Sequence, residues 1–366
     1  MNNWKTYKLE DVLDSLIDYR GKTPKKTKSG VPLITAKVVK NGFIQEPNEF
    51  IAIEDYDEWM TRGLPKIGDV VLTVEAPLGE VAQIKSPRIA LAQRIITLRG
   101  KHEILDNGYL KYFFQSNIGQ QRLKERETGT TVTGIKQSEL RLVKIDCPNF
   151  KTQCQISTIL SSLDNKIELN RQTNQTLEAI TQTLFNEMCV PKEDSLLEGW
   201  KIGKLNDVLE IKYGKDHKHL EPGLIPVYGS GGIMRYANKA LYEFESILIP
   251  RKGTLSNLFY ITKPFWSVDT MFYTKISNKI YIKFLFLLLK TLNLASMNVG
   301  SAVPSLTTEI LNKIEIIIPS IDVLKKFDEI VTPFFNMLDA NEEENQTLIL
   351  IRDGLLPKLM KGEIKI

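Results

Sequence analysis

The chain is poor in the residues that build disulfide frameworks and metal centres. Its 366 residues include three cysteines, Cys147, Cys154 and Cys189, with no Cys-x-x-Cys pair among them. An odd, scattered set of this kind argues against a disulfide-stapled fold and a cysteine zinc site, and it fits a reducing compartment such as the cytoplasm. The three histidines, His102, His217 and His219, do not compose a metal set either. Long apolar runs are missing as well. The most apolar stretch, 280–289, is interrupted by Lys283 and falls far short of the roughly 20 residues that span a bilayer. The opening Met1 to Glu10 is polar and does not read as a signal peptide. Nor is there an excess of one charge: 48 basic against 44 acidic residues leave a net +4. Any contact with nucleic acid must then rest on local patches.

What the chain does contain is a repeat of itself. Trp4-Lys5-Thr6-Tyr7-Lys8-Leu9-Glu10-Asp11-Val12-Leu13 returns as Trp200-Lys201-Ile202-Gly203-Lys204-Leu205-Asn206-Asp207-Val208-Leu209, identical at seven of ten positions. Tyr109-Leu110-Lys111-Tyr112-Phe113-Phe114 returns at Tyr281 to Phe286, and Asn174-Gln175-Thr176-Leu177 at Asn345 to Leu348. The offset shrinks in order from 196 to 171, so the second copy has lost about 25 residues from its first part. Each copy opens with short apolar runs that read as strands, among them 69–74, 94–98 and 246–249. An aromatic-striped helix follows, over 108–124 in the first copy and around 281–291 in the second. Each copy then closes in a long helix. In the first, a seam runs through Ile156, Leu160, Leu163, Ile167, Asn170, Asn174, Leu177, Thr181, Leu184 and Met188. Adding 171 gives Phe327, Val331, Phe334, Leu338, Asn341, Asn345, Leu348, Arg352, Leu355 and Leu359. Steps of four and three with paired asparagines at matched positions predict that the two helices pack on each other. Asn170, Asn174, Asn341 and Asn345 would then fix the register. A helix of about 38 residues is roughly 57 Å long. Pro333 is expected either to kink the second helix or, the preferred reading, to start a new helix capped by Thr332.

The fold class expected is therefore α+β: two similar mixed α/β globules, each followed by a long helix, with the helices forming an antiparallel coiled coil about a pseudo-twofold axis. The domains expected are 1–150, 151–190 (helix), 191–319 and 320–366 (helix). A body of this plan suits a ligand with its own twofold repeat, and duplex DNA is the obvious one. Local chemistry agrees. Arg20-Gly21-Lys22-Thr23-Pro24-Lys25-Lys26-Thr27-Lys28 holds five positive charges and no acid in a loop-like setting, suited to phosphates though equally to plain solvation. The polar Gly-rich stretches 128–134 and 298–304 recur at the same place in both copies. Lys212, Tyr213, Lys215, His217, Lys218 and His219 mix cationic and stacking types. Gly229-Ser230-Gly231-Gly232 looks like a phosphate cradle but lacks the Lys-Ser/Thr ending of a P-loop.

Catalytic signatures are absent. There is no Pro-Pro dipeptide, hence no Asn/Asp-Pro-Pro-aromatic tetrapeptide of an adenine methyltransferase, and no HExxH, GxSxG or Walker motif. Glu210-Ile211-Lys212 has the shape of a nuclease E-x-K fragment without its Pro-Asp partner. No catalytic or metal-binding residue is assigned.

Taken together, these residues resemble the specificity (S) subunit of type I restriction-modification systems over essentially the whole length. The resemblance rests on 20–24, 32–37, 68–70, 75–82 and 133–137 in the first half. In the second it rests on 225–232, 251–254, 266–270 and the ending 352–364. It implies two target-recognition domains, each reading one half of a split asymmetric DNA sequence. It also implies helices that act as a ruler and dock two methyltransferase subunits, with restriction subunits joining that core. S-adenosylmethionine, and ATP and Mg for restriction, would be held by those partners. The residues expected to touch DNA are Arg20, Lys22, Lys25, Lys37, Lys40, Thr130 and Lys136 in one globule. In the other they are Tyr213, Lys215, His217, Tyr228, Ser230, Arg251, Lys252, Thr254 and Ser301. Lysines would position phosphates, and Arg, Tyr and Ser at loop tips would read base edges. A standalone nuclease and a protein-binding scaffold are the alternatives.

Overall fold

The computed structural model describes residues 4–129, 133–192, 196–297, 305–364 and 366. The chain divides into two compact units, one comprising Met1–Asn170 with Glu343–Ile366 and the other Arg171–Glu342. Each globule is thus joined by the first part of the long helix that follows it and by the last part of the other long helix.

In the first unit, strands Leu13–Asp18, Ile95–Gly100, Val70–Val74 and Leu78–Gln83 form an antiparallel sheet in that spatial order. The central strand Val70–Val74 is wholly buried. Because strand side chains alternate, Val70, Leu72 and Val74 enter one core while Val71 enters another. The first core holds the aromatic stripe Tyr109, Tyr112 and Phe113, together with Ile156, Leu160, Leu359 and Met360 from the long helices. The second holds Tyr19, Leu33 and Ile34 and is roofed by a small sheet built on Val31–Ile34. Lys5–Lys8 pairs with Lys144–Cys147 and closes the globule near its ends. The expected helix over 108–124 is two helices, Asn107–Gln115 and Asn117–Lys124. Ser116 is extended, and its hydroxyl accepts from Gly119 N–H at 3.2 Å, capping the second helix. Gly119 is required there, since a Cβ would sit 2.0 Å from the Phe113 carbonyl oxygen.

The second unit repeats the plan. Strands Leu209–Tyr213, Met271–Ile276, Ser246–Pro250 and Phe259–Ile261 form the antiparallel sheet in the same order. Ile247 and Ile249 face one core and Leu248 the other. A three-stranded sheet of Gly232–Ala237, Ile225–Gly229 and Trp266–Ser267 covers the second core.

The long helices run Phe150–Cys189 and Ile321–Met360. Within the first unit Asp164 meets Arg352 and Asn170 meets Asn345. Within the second, Asn174 meets Asn341 and Phe185 meets Phe327. In both places one number rises as the other falls, so the pairing is antiparallel. Two expectations need correction. The helix continues through Pro333 instead of restarting: Pro333 and Glu329, whose carbonyl loses its helical donor, lie on the exposed face, where water can serve it. Buried Val331 and Phe335 hold the flanking turns in place. The seam also shifts by one residue at matched positions. Asp164 and Phe335 are buried, whereas Leu163 and Phe334 are only half-buried.

The buried carboxylate explains the first shift. Asp164 Oδ2 accepts from Lys111 Nζ at 2.5 Å and from the Tyr112 hydroxyl at 2.8 Å, and Oδ1 accepts from Arg352 Nη1 at 2.9 Å. Burial alone would raise the Asp164 pKa, but the Lys111 ammonium and the hydrogen bonds from Lys111, Arg352 and Tyr112 more than offset it and hold the carboxyl below its ordinary value. In the second unit the matched lysine, Lys283, pairs instead with Asp328 at 2.8 Å, and Phe335 packs on Phe286 and Tyr260.

Candidate nucleic-acid interface

In the first unit the end of strand Leu13–Asp18 leads straight into the basic loop. Arg20 is tethered there: its N–H donates to Asp18 Oδ1 at 2.8 Å and its Nη2 to the Ile135 carbonyl at 2.8 Å. The Ile135 N–H in turn donates to the Val74 carbonyl at 2.9 Å, and Glu75 bridges Gly134. The Val74 N–H donates to the Arg94 carbonyl at 3.1 Å, and Arg94 Nε lies 3.5 Å from Glu75 Oε1. Arg20, Glu75, Arg94 and the exposed Lys136, which precedes the short helix Gln137–Arg141, are thereby brought together. Lys22 and Lys25 are exposed on the loop itself, which is anchored where Thr23 Oγ1 donates to Gln93 Oε1 at 3.2 Å. Lys26 is committed to Glu49 at 2.8 Å. Lys37 and Lys40 are exposed but belong to another segment, the turn and hairpin 37–44 that meets strand Leu78–Gln83 through Asn41 N–H and Glu80 Oε2 at 2.8 Å.

The second unit builds the same place from different residues. The Arg251 N–H donates to the Thr270 carbonyl, the Leu306 N–H donates to the Arg251 carbonyl, and Lys252 bridges Ser305. These three links match those of Val74, Arg94, Ile135, Glu75 and Gly134 one for one. The Arg251 guanidinium lies 5.2 Å from the Tyr213 ring centroid, and the Tyr213 hydroxyl is 3.4 Å from Thr308 Oγ1. Ser230 joins them, its carbonyl accepting from Asn257 Nδ2 at 2.9 Å. Gly253 has φ +87°, and a Cβ there would meet Ser230 Oγ at 2.7 Å, so the turn carrying Lys252 and Thr254 needs glycine. Lys215 is exposed, with its N–H donating to the Ser267 carbonyl and its carbonyl accepting from Trp266 Nε1.

Two expected residues are engaged otherwise. His217 Nδ1 accepts from Arg235 Nε at 3.1 Å, and the same guanidinium holds the His217 carbonyl. Tyr228 turns its ring to Phe259 and Phe265, and burial, with Tyr236, Asp339 and Glu342 nearby, pushes its phenol up to about 12. Thr130 and Ser301 lie outside the described residues. Among the described residues no group of three or more His, Cys, Asp or Glu side chains could hold a metal ion, and no helix is long and apolar enough to cross a membrane. Sequence reasoning missed Glu75, Arg94 and Asp164 as candidates. The first two lie in no basic run, and only the matched hydrogen bonds of the two units single them out.

A duplicated α/β globule with a long helix after each copy is the plan of a recognition module. The profile of the family described as "Type I restriction modification DNA specificity domain" matches residues 1–179 and 197–349, and the chain belongs to that family. It is 27% identical to the type I restriction enzyme MjaIX specificity subunit of Methanocaldococcus jannaschii, over all of this chain and 94% of that one. It is 22% identical to the MjaVIII specificity subunit of the same organism, over all of this chain and 93% of that one. Among solved structures, the type I restriction-modification S subunit from M. genitalium shares the fold with a TM-score of 0.67 at 22% identity, covering 98% of this chain and 96% of that one. The chain is thus a type I restriction-modification specificity subunit with two target-recognition domains. The nuclease and scaffold alternatives find no support.

Proposed function

We propose that the two recognition domains, over 1–150 and 191–319, each read one half of a split, asymmetric DNA target. The helices over 151–190 and 320–366 set the gap between the halves and dock two methyltransferase subunits, to which restriction subunits can join. This chain contributes no catalytic step. S-adenosylmethionine, and ATP and Mg for cleavage, belong to the partners, and the assembly works in the cytoplasm. The observation that carries the reading is the pair of surfaces just described: one backbone arrangement, fixed by the same three links in each unit, presents Arg20, Glu75, Arg94 and Lys136 in one and Tyr213, Arg251, Lys252 and Thr254 in the other. Two sites of one design and different chemistry suit two unlike half-sites. Exposed lysines supply salt-dependent phosphate contacts, and the residues at the turn tips supply base contacts.

The test is selection from a randomised duplex pool by the chain bound to its methyltransferase subunits. The expected result is enrichment of two short motifs separated by a fixed gap. Enrichment of a single uninterrupted motif, or retention of DNA without sequence preference, would contradict the reading.

A further inference from the structure

The duplication supplies a comparison inside one molecule. Resting on the reading of each unit as a half-site reader, positions that match in both place and chemistry serve what the halves have in common, the phosphate backbone. Positions that match in place but differ in chemistry serve what distinguishes the halves, the bases. Strand register fixes the matches. Asp18 pairs with Ile96, and Tyr213 with Phe272, so Arg20 and Lys215, each two residues further on, correspond. Both are cations, and they fall in the shared class. The three matched links make Glu75 correspond to Lys252 and Arg94 to Thr270. These differ in charge or in kind.

Of the divergent positions in the first unit, Arg94 is the one built for reading. Its side chain is 53% exposed, and that of Glu75 is 34% exposed. A pair so exposed, at 3.5 Å, adds little to stability. What it does is keep a long, exposed cation beside Glu75, whose backbone bridges Gly134 next to the Ile135 carbonyl that holds Arg20. The planar fork of an arginine matches O6 and N7 of guanine, and this is the commonest specific contact in the major groove. We propose that Arg94 reads a guanine in the half-site of the first unit, with Glu75 as its positioning residue. The second unit, with Thr270 and Lys252 in those places, reads a different base at the corresponding step.

The test uses the full chain in complex with its methyltransferase subunits and compares selected motifs for wild type, Arg94→Ala, Arg94→Lys, Glu75→Gln and Lys22→Ala. Wild type should specify a G·C pair at one step of one half-site. Arg94→Ala should relax that step alone, by roughly 10-fold to 100-fold in discrimination, and leave the other half-site and the gap unchanged. Arg94→Lys should not restore it, because a lysine lacks the fork. Glu75→Gln should relax the same step more weakly. Lys22→Ala should lower affinity for every sequence without changing the motif. An unchanged motif in Arg94→Ala would overturn the assignment, as would a uniform loss across all positions, which marks a phosphate contact. A wild-type complex that selects no split motif would instead overturn the reading of function, and the assignment with it.

Discussion

Asp164→Asn gives the sharpest prediction about what holds the first unit together. The Asp164 side chain is 3% exposed and neutralises two cations at once, Lys111 at 6% exposed and Arg352 at 14%. Lys111 comes from the globule, Asp164 from the first long helix and Arg352 from the second. Removing the carboxylate charge leaves Lys111 buried without a carboxylate, while Arg352 keeps only the exposed Asp353 at 2.9 Å. Truncating one partner of a buried ion pair costs about 3–5 kcal/mol. The lower end applies here, because Lys111 can shed its proton (burial already lowers its pKa). About 3 kcal/mol corresponds to roughly a 150-fold rise in the population of the opened first unit.

Two cysteines make this measurable unit by unit. Cys147 lies in the core of the first unit and Cys189 in that of the second. Burial pushes both thiols up to about 12, so they are protected until their unit opens. In native-state thiol labelling, Asp164→Asn should accelerate Cys147 by about two orders of magnitude and Cys189 far less. The pH dependence follows from the same pair. The Asp164 pKa is depressed in the folded state, so its stabilisation is complete above the unfolded-state value and is lost as pH falls through the folded one. The variant should therefore show a flatter loss of Cys147 protection on acidification. Equal acceleration of both cysteines, or an unchanged Cys147, would refute the reasoning.

Lys25→Ala should weaken binding of the complex to all DNA sequences alike and reduce the slope of log K against log salt by about 0.9, read by titration at several salt concentrations. Lys26→Ala should do less, because Lys26 is already paired with Glu49. Deleting the heptad 167–173 shortens the first helix by about 10 Å and removes Asn170, the hydrogen-bond partner of Asn345. The gap in the selected motif should shrink or assembly should fail, and an unchanged gap would sink the ruler. Gly119→Ala should lower the melting temperature, since its Cβ would collide with the Phe113 carbonyl oxygen at 2.0 Å. A melting curve matching wild type would show that the turn relaxes freely.

Most of the architecture was legible because duplication makes a sequence its own alignment. Trp4 to Leu13 and its return announced two globules of one kind, and the matched asparagines announced helices that pack on each other: Asn170 meets Asn345 and Asn174 meets Asn341. What periodicity could not show was a charge in the seam. Leu163 fits a heptad better than Asp164 does, and only the three partners of Asp164 make its burial tolerable. Pro333 misled for a related reason, since a helix held by packing on one face can carry a proline on the other. At the turns proposed to face DNA the basic run pointed to Arg20, Lys22 and Lys25. The mixed cationic and stacking run also picked out His217, and the resemblance picked out Tyr228, both of which are engaged by neighbours within their own unit. Glu75 lies in a segment that carries the resemblance and Arg94 at the start of an apolar run, but neither was marked as a contact, because what singles them out is the pairing of distant segments.

The central claim is that one chain reads two unlike half-sites at a fixed separation. The most direct measurement is a genome-wide map of modified adenines in a methylation-free host expressing this chain with its methyltransferase partner. The account predicts one split, asymmetric motif with a constant gap, modified wherever it occurs. A stable complex with an active methyltransferase that modifies no such motif would contradict it.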